Sequence, residues 1–327
     1  MADYINIYGQ DILAVASDPA NPTLGQIWYN STSNTLKGGG VTTTASWATG
    51  GNMNTLRANL AGTGIQTAAL AFGGYAPPFT GVTEEYDGSS WTNSNSLNTT
   101  RTGLGGAGTQ TAGLAIGGQI PAGNASTGAT EEYDGNSWTS SNSLNTARTD
   151  IGGAGTQTAA LAFGGIIPPD SNATEEYDGN SWTSSNSLNT ARNNIGEAGT
   201  QTAALGFGGG TPAVTGVTEE YNGTSWTSVN SMNTARAQLA GAGTQALALG
   251  FGGEAPGVYL SATEEYDGTS WATSPASLAT GRSSLAGAGT QTAGLAIGGN
   301  SGAPTYLNAT EEYTGAGAAV TKTITAS

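Results

Sequence analysis

The sequence predicts an all-β fold, a six-bladed β-propeller with an N-terminal extension, and three observations carry that expectation. Tryptophans recur at Trp47, Trp91, Trp138, Trp182, Trp226 and Trp271, spaced 44, 47, 44, 44 and 45 residues apart, a period that marks a repeat architecture. Each unit repeats an Arg, a Gly-Gly pair and a Glu-Glu-Tyr triplet in the same order. Each unit also divides into four short runs separated by turn residues, and four antiparallel strands repeated six times describe a propeller.

The elements follow in order. From Arg to the Gly-Gly pair the spacing is constant at sixteen residues, from Arg57 to Gly73 through Arg282 to Gly298. This stretch, in the third copy Arg148-TDIGGAGTQTAALAF-Gly164, reads as a hairpin of two buried strands about a Gly-Thr-Gln-Thr turn. The Gly and Ala of its first run suit an innermost strand, where blades converge and large side chains collide. The third strand ends in Glu-Glu-Tyr and the fourth starts at Trp. The two are joined in five units by an Asp-Gly or Asn-Gly pair, which supplies the positive φ of a tight turn. Ring closure is expected at the chain's first Trp: Trp47 has no Gly-Gly or Glu-Glu-Tyr before it, and the last triplet, ending at Tyr313, has no Trp after it. The strand at Trp47 would then complete the last blade and remove an exposed edge; in the alternative, Ala319-VTKTIT closes its own blade. The domains expected are an arm over residues 1–46, a propeller over 47–314 and a tail over 315–327.

The order Gly-Gly, Glu-x-Tyr-Asp, Trp, then Arg resembles the kelch repeat over residues 47 to 314, which implies a kelch-like propeller. The period is shorter than the ~50 residues usual for kelch, the Tyr-to-Trp turn is compressed, and a second Glu stands where kelch repeats more often have an apolar residue. The resemblance implies that the first Glu of each triplet (Glu84, Glu131, Glu175, Glu219, Glu264, Glu311) is a framework residue, partnered by the repeat arginines Arg57, Arg101, Arg148, Arg192, Arg236 and Arg282.

Composition narrows the function. The 327 residues include 53 glycines but no cysteine or histidine, which excludes disulfides, thiolate nucleophiles, imidazole bases and the usual zinc sites. A formal charge of −15 argues against nucleic acid as a partner, because phosphate binding needs clustered Lys and Arg. No apolar run reaches the ~20 residues that span a bilayer, so no membrane insertion is expected, and Met1-Ala-Asp-Tyr-Ile-Asn lacks the features of a secretory signal. The paired glutamates recur in all six units, whereas catalysis needs one asymmetric constellation. The Asp-Gly turns at Asp87, Asp134, Asp178 and Asp267 are accounted for by hairpin geometry without calcium. No catalytic residue, metal or cofactor is expected, and no enzyme activity.

What varies is the segment between Gly-Gly and Glu-Glu-Tyr: YAPPFTGVT, QIPAGNASTGAT, IIPPDSNAT, GTPAVTGVT, EAPGVYLSAT and NSGAPTYLNAT. Four-stranded blade topology places these on the face of the blade-to-blade connections, and a rigid ring carrying divergent loops is the form of a recognition surface. The candidate recognition residues are Tyr75, Phe79, Ile120, Asn124, Ile166, Asp170, Thr211, Val214, Glu254, Tyr259, Tyr306 and Asn308. Tyr75, Phe79, Ile120, Ile166, Ile167, Tyr259 and Tyr306 are expected to be exposed, as aromatic residues concentrate at such sites.

Finally, Leu24-GQIWYNSTSNTLK resembles a short element of tail-fibre and other appendage proteins of tailed bacteriophages, with Gln26 in place of the usual Asp. That resemblance implies a virion component assembled in the host cytoplasm. Its partners would be other virion proteins and a host-surface glycan or protein. A bacterial kelch-type interaction or carbohydrate-binding module is the alternative.

Overall fold

The computed structural model describes residues 12–19, 26–41, 44–302, 305–317 and 319–324. The chain divides into a large unit, Ser46–Tyr313, and a small one from its two ends, Met1–Ala45 with Thr314–Ser327. The initial Met1-Ala-Asp-Tyr-Ile-Asn and the Leu24-Gly25 start of the phage-like element lie outside the described residues.

The large unit is a six-bladed β-propeller. Its first blade comprises Ala61–Ile65, Ala68–Phe72, Thr83–Tyr86 and Trp91–Ser94, antiparallel and in chain order from the axis outward. The next four blades repeat this order, beginning at Gly105, Gly152, Gly196 and Ala240. The sixth holds Ala286–Gly289, Gly294–Ile297 and Thr310–Thr314, and its outer strand is Ser46–Thr49, from the other end of the propeller's chain. Innermost strands touch their neighbours all the way round, the sixth meeting the first, so the ring is closed.

Close approach explains the glycines of the inner strands. A Cβ added at Gly153 would lie 2.7 Å from the Gly106 carbonyl of the preceding blade, and one at Gly287 only 2.2 Å from that of Gly241. Further out, each second strand is a buried apolar run, and each interface between blades is a small core. Between the first two blades it contains Leu70, Phe72, Leu97, Leu104, Tyr133 and Trp138. The Trp of one blade packs on the Phe of the preceding one: Phe72 on Trp138 at 4.9 Å, Phe163 on Trp226 at 4.9 Å, and Trp47 on Phe251 at 5.0 Å.

The ends of the chain differ from the expected separate arm and tail. Leu13–Val15, Ile27–Asn30, Thr35–Val41 and Ala319–Thr323 form one four-stranded sheet in that order. Ala319–Thr323 therefore closes no blade; it pairs antiparallel with Thr35–Val41.

Candidate functional site

The framework triplets account for their own chemistry. The Arg guanidinium and first Glu of each unit pair in the interior: Arg57 with Glu84 at 3.2 Å, Arg101 with Glu131, Arg148 with Glu175 and Arg282 with Glu311 at 2.9 Å, Arg192 with Glu219 at 3.0 Å, and Arg236 with Glu264. All six arginine side chains are fully buried. Their Nη1 groups donate to backbone carbonyls, as Arg192 does to Gly208 and Val217, both at 2.8 Å. The other oxygen of the same Glu accepts a backbone N–H from the connector between blades, Glu219 from Asn189 at 2.7 Å. Each pair thus clamps a connector to its own blade. Only Nε of each arginine has no partner. Burial depresses the guanidinium pKa, to about 10 for Arg57, against the opposing pull of Glu84.

The second Glu does different work, which explains why it is not apolar. It accepts a hydrogen bond from the Tyr hydroxyl of the next blade: Tyr266 donates to Glu220 at 2.9 Å, and Tyr133, Tyr177, Tyr221 and Tyr313 donate likewise to Glu85, Glu132, Glu176 and Glu265. Tyr86 closes the circle on Glu312 at 2.5 Å. Burial first, and then the neighbouring carboxylate, push the Tyr133, Tyr177 and Tyr221 hydroxyls up to about 12. The turn aspartates are occupied as well: the Oδ1 of Asp87 accepts the N–H groups of Ser89 and Ser90, both at 2.8 Å.

The divergent segments share a face with the connectors. Tyr75 N–H donates to Ala58 O at 2.7 Å and Gly210 N–H to Asn193 O at 2.9 Å, so each loop starts beside the residue after the repeat Arg. Each loop then folds back on itself. Gln119–Ile120 pairs with Ala125–Ser126, Gly210–Thr211 with Ala213–Val214, and Glu254–Ala255 with Val258–Tyr259. The other three loops close through single bridges, Tyr75 to Phe79, Ile166 to Asp170 and Asn300 to Tyr306.

The expected exposure needs correction. Among the aromatic and isoleucine candidates only Tyr259, at 37 %, is exposed; Tyr75, Phe79, Ile120, Ile166, Ile167 and Tyr306 are half-buried. The reason is mutual packing. Tyr75 stands edge-on to Phe79 at 5.5 Å and to Tyr306 of the sixth blade at 5.4 Å. Asn308 is also half-buried, and its amide donates to Met53 O at 2.9 Å, holding a connector. Asp170 accepts from Asn193 Nδ2 at 2.6 Å. Asn124 is exposed at a positive φ of 52°, while Thr211, Val214 and Glu254 are half-buried in their hairpins.

Two carboxyls at the axis are new from the structure. Two residues after each repeat Arg, Asn59, Gly103, Asp150, Asn194, Gln238 and Ser284 all take left-handed φ values between 50° and 61°. Each N–H donates to the carbonyl of its counterpart one blade back, at 2.7–3.0 Å, in an unbroken circle of six hydrogen bonds. Asp150 contributes an acid to this circle, and burial raises its pKa to about 6. One layer deeper, Glu197 stands where the other five inner strands have Gly62, Gly106, Gly153, Gly241 and Gly287. It is half-buried and lines both axial cavities, of about 70 and 130 Å³, and burial raises its carboxyl to about 8. The signal was in the sequence, as the single Glu in an aligned column of glycines.

In the small unit Ile27–Asn30 and Thr35–Val41 form a hairpin. Trp28 is fully buried, and its Nε1 donates to Asp18 at 3.0 Å; Asn30 Nδ2 donates to the same oxygen at 2.7 Å. Asn30 Oδ1 then accepts the N–H groups of Thr32 and Ser33. The hydrogen bonds that Asp18 accepts from Asn30 and Trp28, and then Lys37 at 4.0 Å, lower its pKa. The Trp-Tyr-Asn run thus builds the hairpin and its turn.

Fold and site together define a six-bladed β-propeller with one chemically varied face. No protein-family model matches the chain, and no curated protein matches it.

Proposed function

We propose that the chain is a non-enzymatic structural protein of a tailed-phage particle. In this reading it is a kelch-like propeller on a tail fibre, appendage or capsid surface, and its divergent loop face recognises the host surface or a neighbouring virion protein. One observation carries the recognition reading: a framework repeated six times holds six unlike loops, each closed into its own small hairpin, on a single face. Rigid elements presenting variable side chains lower the ordering cost of binding. The kelch-like reading is supported by the Arg pairing of the first Glu in every unit. The virion reading rests on the phage-like element, which would dock the protein to the particle.

A non-enzymatic role is supported by the occupation of the repeated glutamates in clamps and latches. It also fits the size of the axial cavities beside Asp150 and Glu197, about 70 and 130 Å³, against the ~300 Å³ at which small-molecule pockets begin.

The test is an exchange of the loop residues 75–80, 166–170 and 254–260 for Gly/Ser linkers, which leaves Thr83, Thr174 and Thr263 of the third strands in place. Thermal unfolding is expected to stay within a few degrees, since surface-loop changes shift stability little, while adsorption of particles or purified protein to host cells is expected to collapse. Trp182→Ala, by contrast, is expected to cost roughly 3–5 kcal/mol. Unchanged adsorption in the loop-exchanged protein would refute the recognition face. Mass spectrometry of purified virions separates the phage reading from a bacterial module.

A further inference from the structure

The loop face is not chemically uniform. On the side of blades three to five it carries carboxylates, Asp170 and Glu254. Where the first and second blades meet it carries none: a shallow, open cleft of about 350 Å³ is lined by Asn59, Tyr75, Phe79, Thr102, Gln119 and Asn124. That volume falls within the ~300–1,000 Å³ range of small-molecule sites.

Two kinds of group meet in this cleft. One wall is aromatic: the Tyr75 ring is braced edge-on by Phe79 and, from the sixth blade, by Tyr306. The other wall is amide and hydroxyl. Gln119 Nε2 donates to Asn124 O at 2.9 Å, which fixes the side chain and directs its second N–H and its carbonyl oxygen to other partners. Thr102 Oγ1 donates to Asn59 O at 3.3 Å, and the Asn59 backbone is locked into the axial circle of hydrogen bonds. Asn59 also lines the cleft, and a carboxamide has both donor and acceptor capacity.

We infer that this cleft is a subsite for a neutral saccharide, deepening the recognition reading on which it rests. A pyranose ring has an apolar C–H face that covers an aromatic ring and an equatorial rim of hydroxyls that both donate and accept, which is what carboxamides provide. Charge selects within the class. No cation lines the cleft and the chain carries −15, so sialylated or uronic sugars are repelled.

The test uses the full chain in titration calorimetry against maltohexaose, cellohexaose, chitohexaose and a galactan oligomer, with sialyllactose and a polygalacturonate oligomer as acidic probes. Saturable binding of at least one neutral probe and none of the acidic ones is expected. Tyr75→Ala and Gln119→Ala are each expected to weaken it roughly tenfold or more, the usual loss for a central contact residue. Tyr75→Phe, which keeps the ring, is expected to restore the binding lost in Tyr75→Ala, and Thr139→Ala, exposed on an outer strand, is expected to leave it within about twofold. Unfolding temperatures check that each variant is folded; should Tyr75→Ala fail, Gln119→Ala carries the test alone. Absence of binding by every neutral probe, preference for the acidic ones, or binding that survives both alanine changes would overturn the saccharide assignment. If host adsorption still depends on the loops when no neutral probe binds, the recognition face stands and only its ligand class falls, an apolar peptide being the other occupant the aromatic wall would accept.

Discussion

Glu197 shows what one residue does to a repeat. Its five counterparts are glycines because the neighbouring backbones leave no room, and a Cβ at Gly241 would lie 2.1 Å from the Glu197 carbonyl itself. The fourth blade carries a side chain there that borders two small cavities. A carboxyl in that position is harder to ionise in the folded protein than in the unfolded chain, so its pKa rises from 4.5 to about 8. Between those values the folded state binds more protons than the unfolded one, and stability falls as pH rises; above pH 8 the loss is complete. Glu197→Gln removes the titrating group at nearly constant volume. The variant is expected to unfold at a higher temperature than wild type at pH 8, with the gap closing toward pH 4.5. Calorimetric scans across that range check it, and equal pH profiles for the two proteins would mean that the axial carboxyl ionises freely.

At the scale of the element, each blade is bound to the next by side chains that recur with the repeat. Trp Nε1 donates to the Thr opening the preceding triplet, as Trp226 does to Thr174 at 3.0 Å, and Gln Nε2 donates to two backbone carbonyls of the preceding blade, as Gln201 does to Ala160 and Tyr177. The Tyr-to-Glu latch is the third such bond. In Tyr221→Phe the hydroxyl is lost and Glu176 keeps its burial without that donor, which is expected to cost about 1.5–3 kcal/mol, as for hydrogen bonds to charged groups. The folded pKa of Tyr221, about 12, lies above its ordinary 10, so the latch is fully present below pH 10 and is lost as pH rises toward 12. The stability gap between wild type and Tyr221→Phe, followed by urea unfolding, should therefore shrink over that window; a gap independent of pH would show that the hydroxyl is not the group that matters. Much of this element was legible in the sequence, since turn glycines, strand lengths and the Gly/Ala inner strand follow from local chemistry. The role of the second Glu was not, because its partner lies a whole blade away. Nor was the half-burial of Tyr75 and Tyr306, whose stacking joins residues from opposite ends of the repeat array.

The whole molecule depends on a seam. Three strands of the sixth blade come from the end of the repeat array and the fourth, Ser46–Thr49, from its start. Each circular set of interactions crosses there: Asn59 to Ser284, Tyr86 to Glu312, Trp91 to Thr310 and Gln66 to Gly294. Trp47 itself lies 5.0 Å from both Phe251 and Tyr313 and donates to Thr263 at 2.9 Å. The pairing of Ala319–Thr323 with Thr35–Val41 in the small unit was hidden in the sequence because strand pairing between distant segments leaves no local periodicity to read. A comparison of two truncations isolates the seam. A chain of residues 46–314 keeps every blade strand and every circle and is expected to retain cooperative unfolding. A chain of residues 50–314 loses the outer strand Ser46–Thr49 with Trp47, leaving the Thr310–Thr314 edge open to other chains. It is expected to be less stable, having lost the half-buried Trp47 ring, its hydrogen bond to Thr263 and the outer strand's ladder, and to associate through that edge. Calorimetry with size-exclusion chromatography distinguishes the two. Matching unfolding temperatures and matching monomeric elution would mean that the five complete blades hold the ring shut without the strand that closes it.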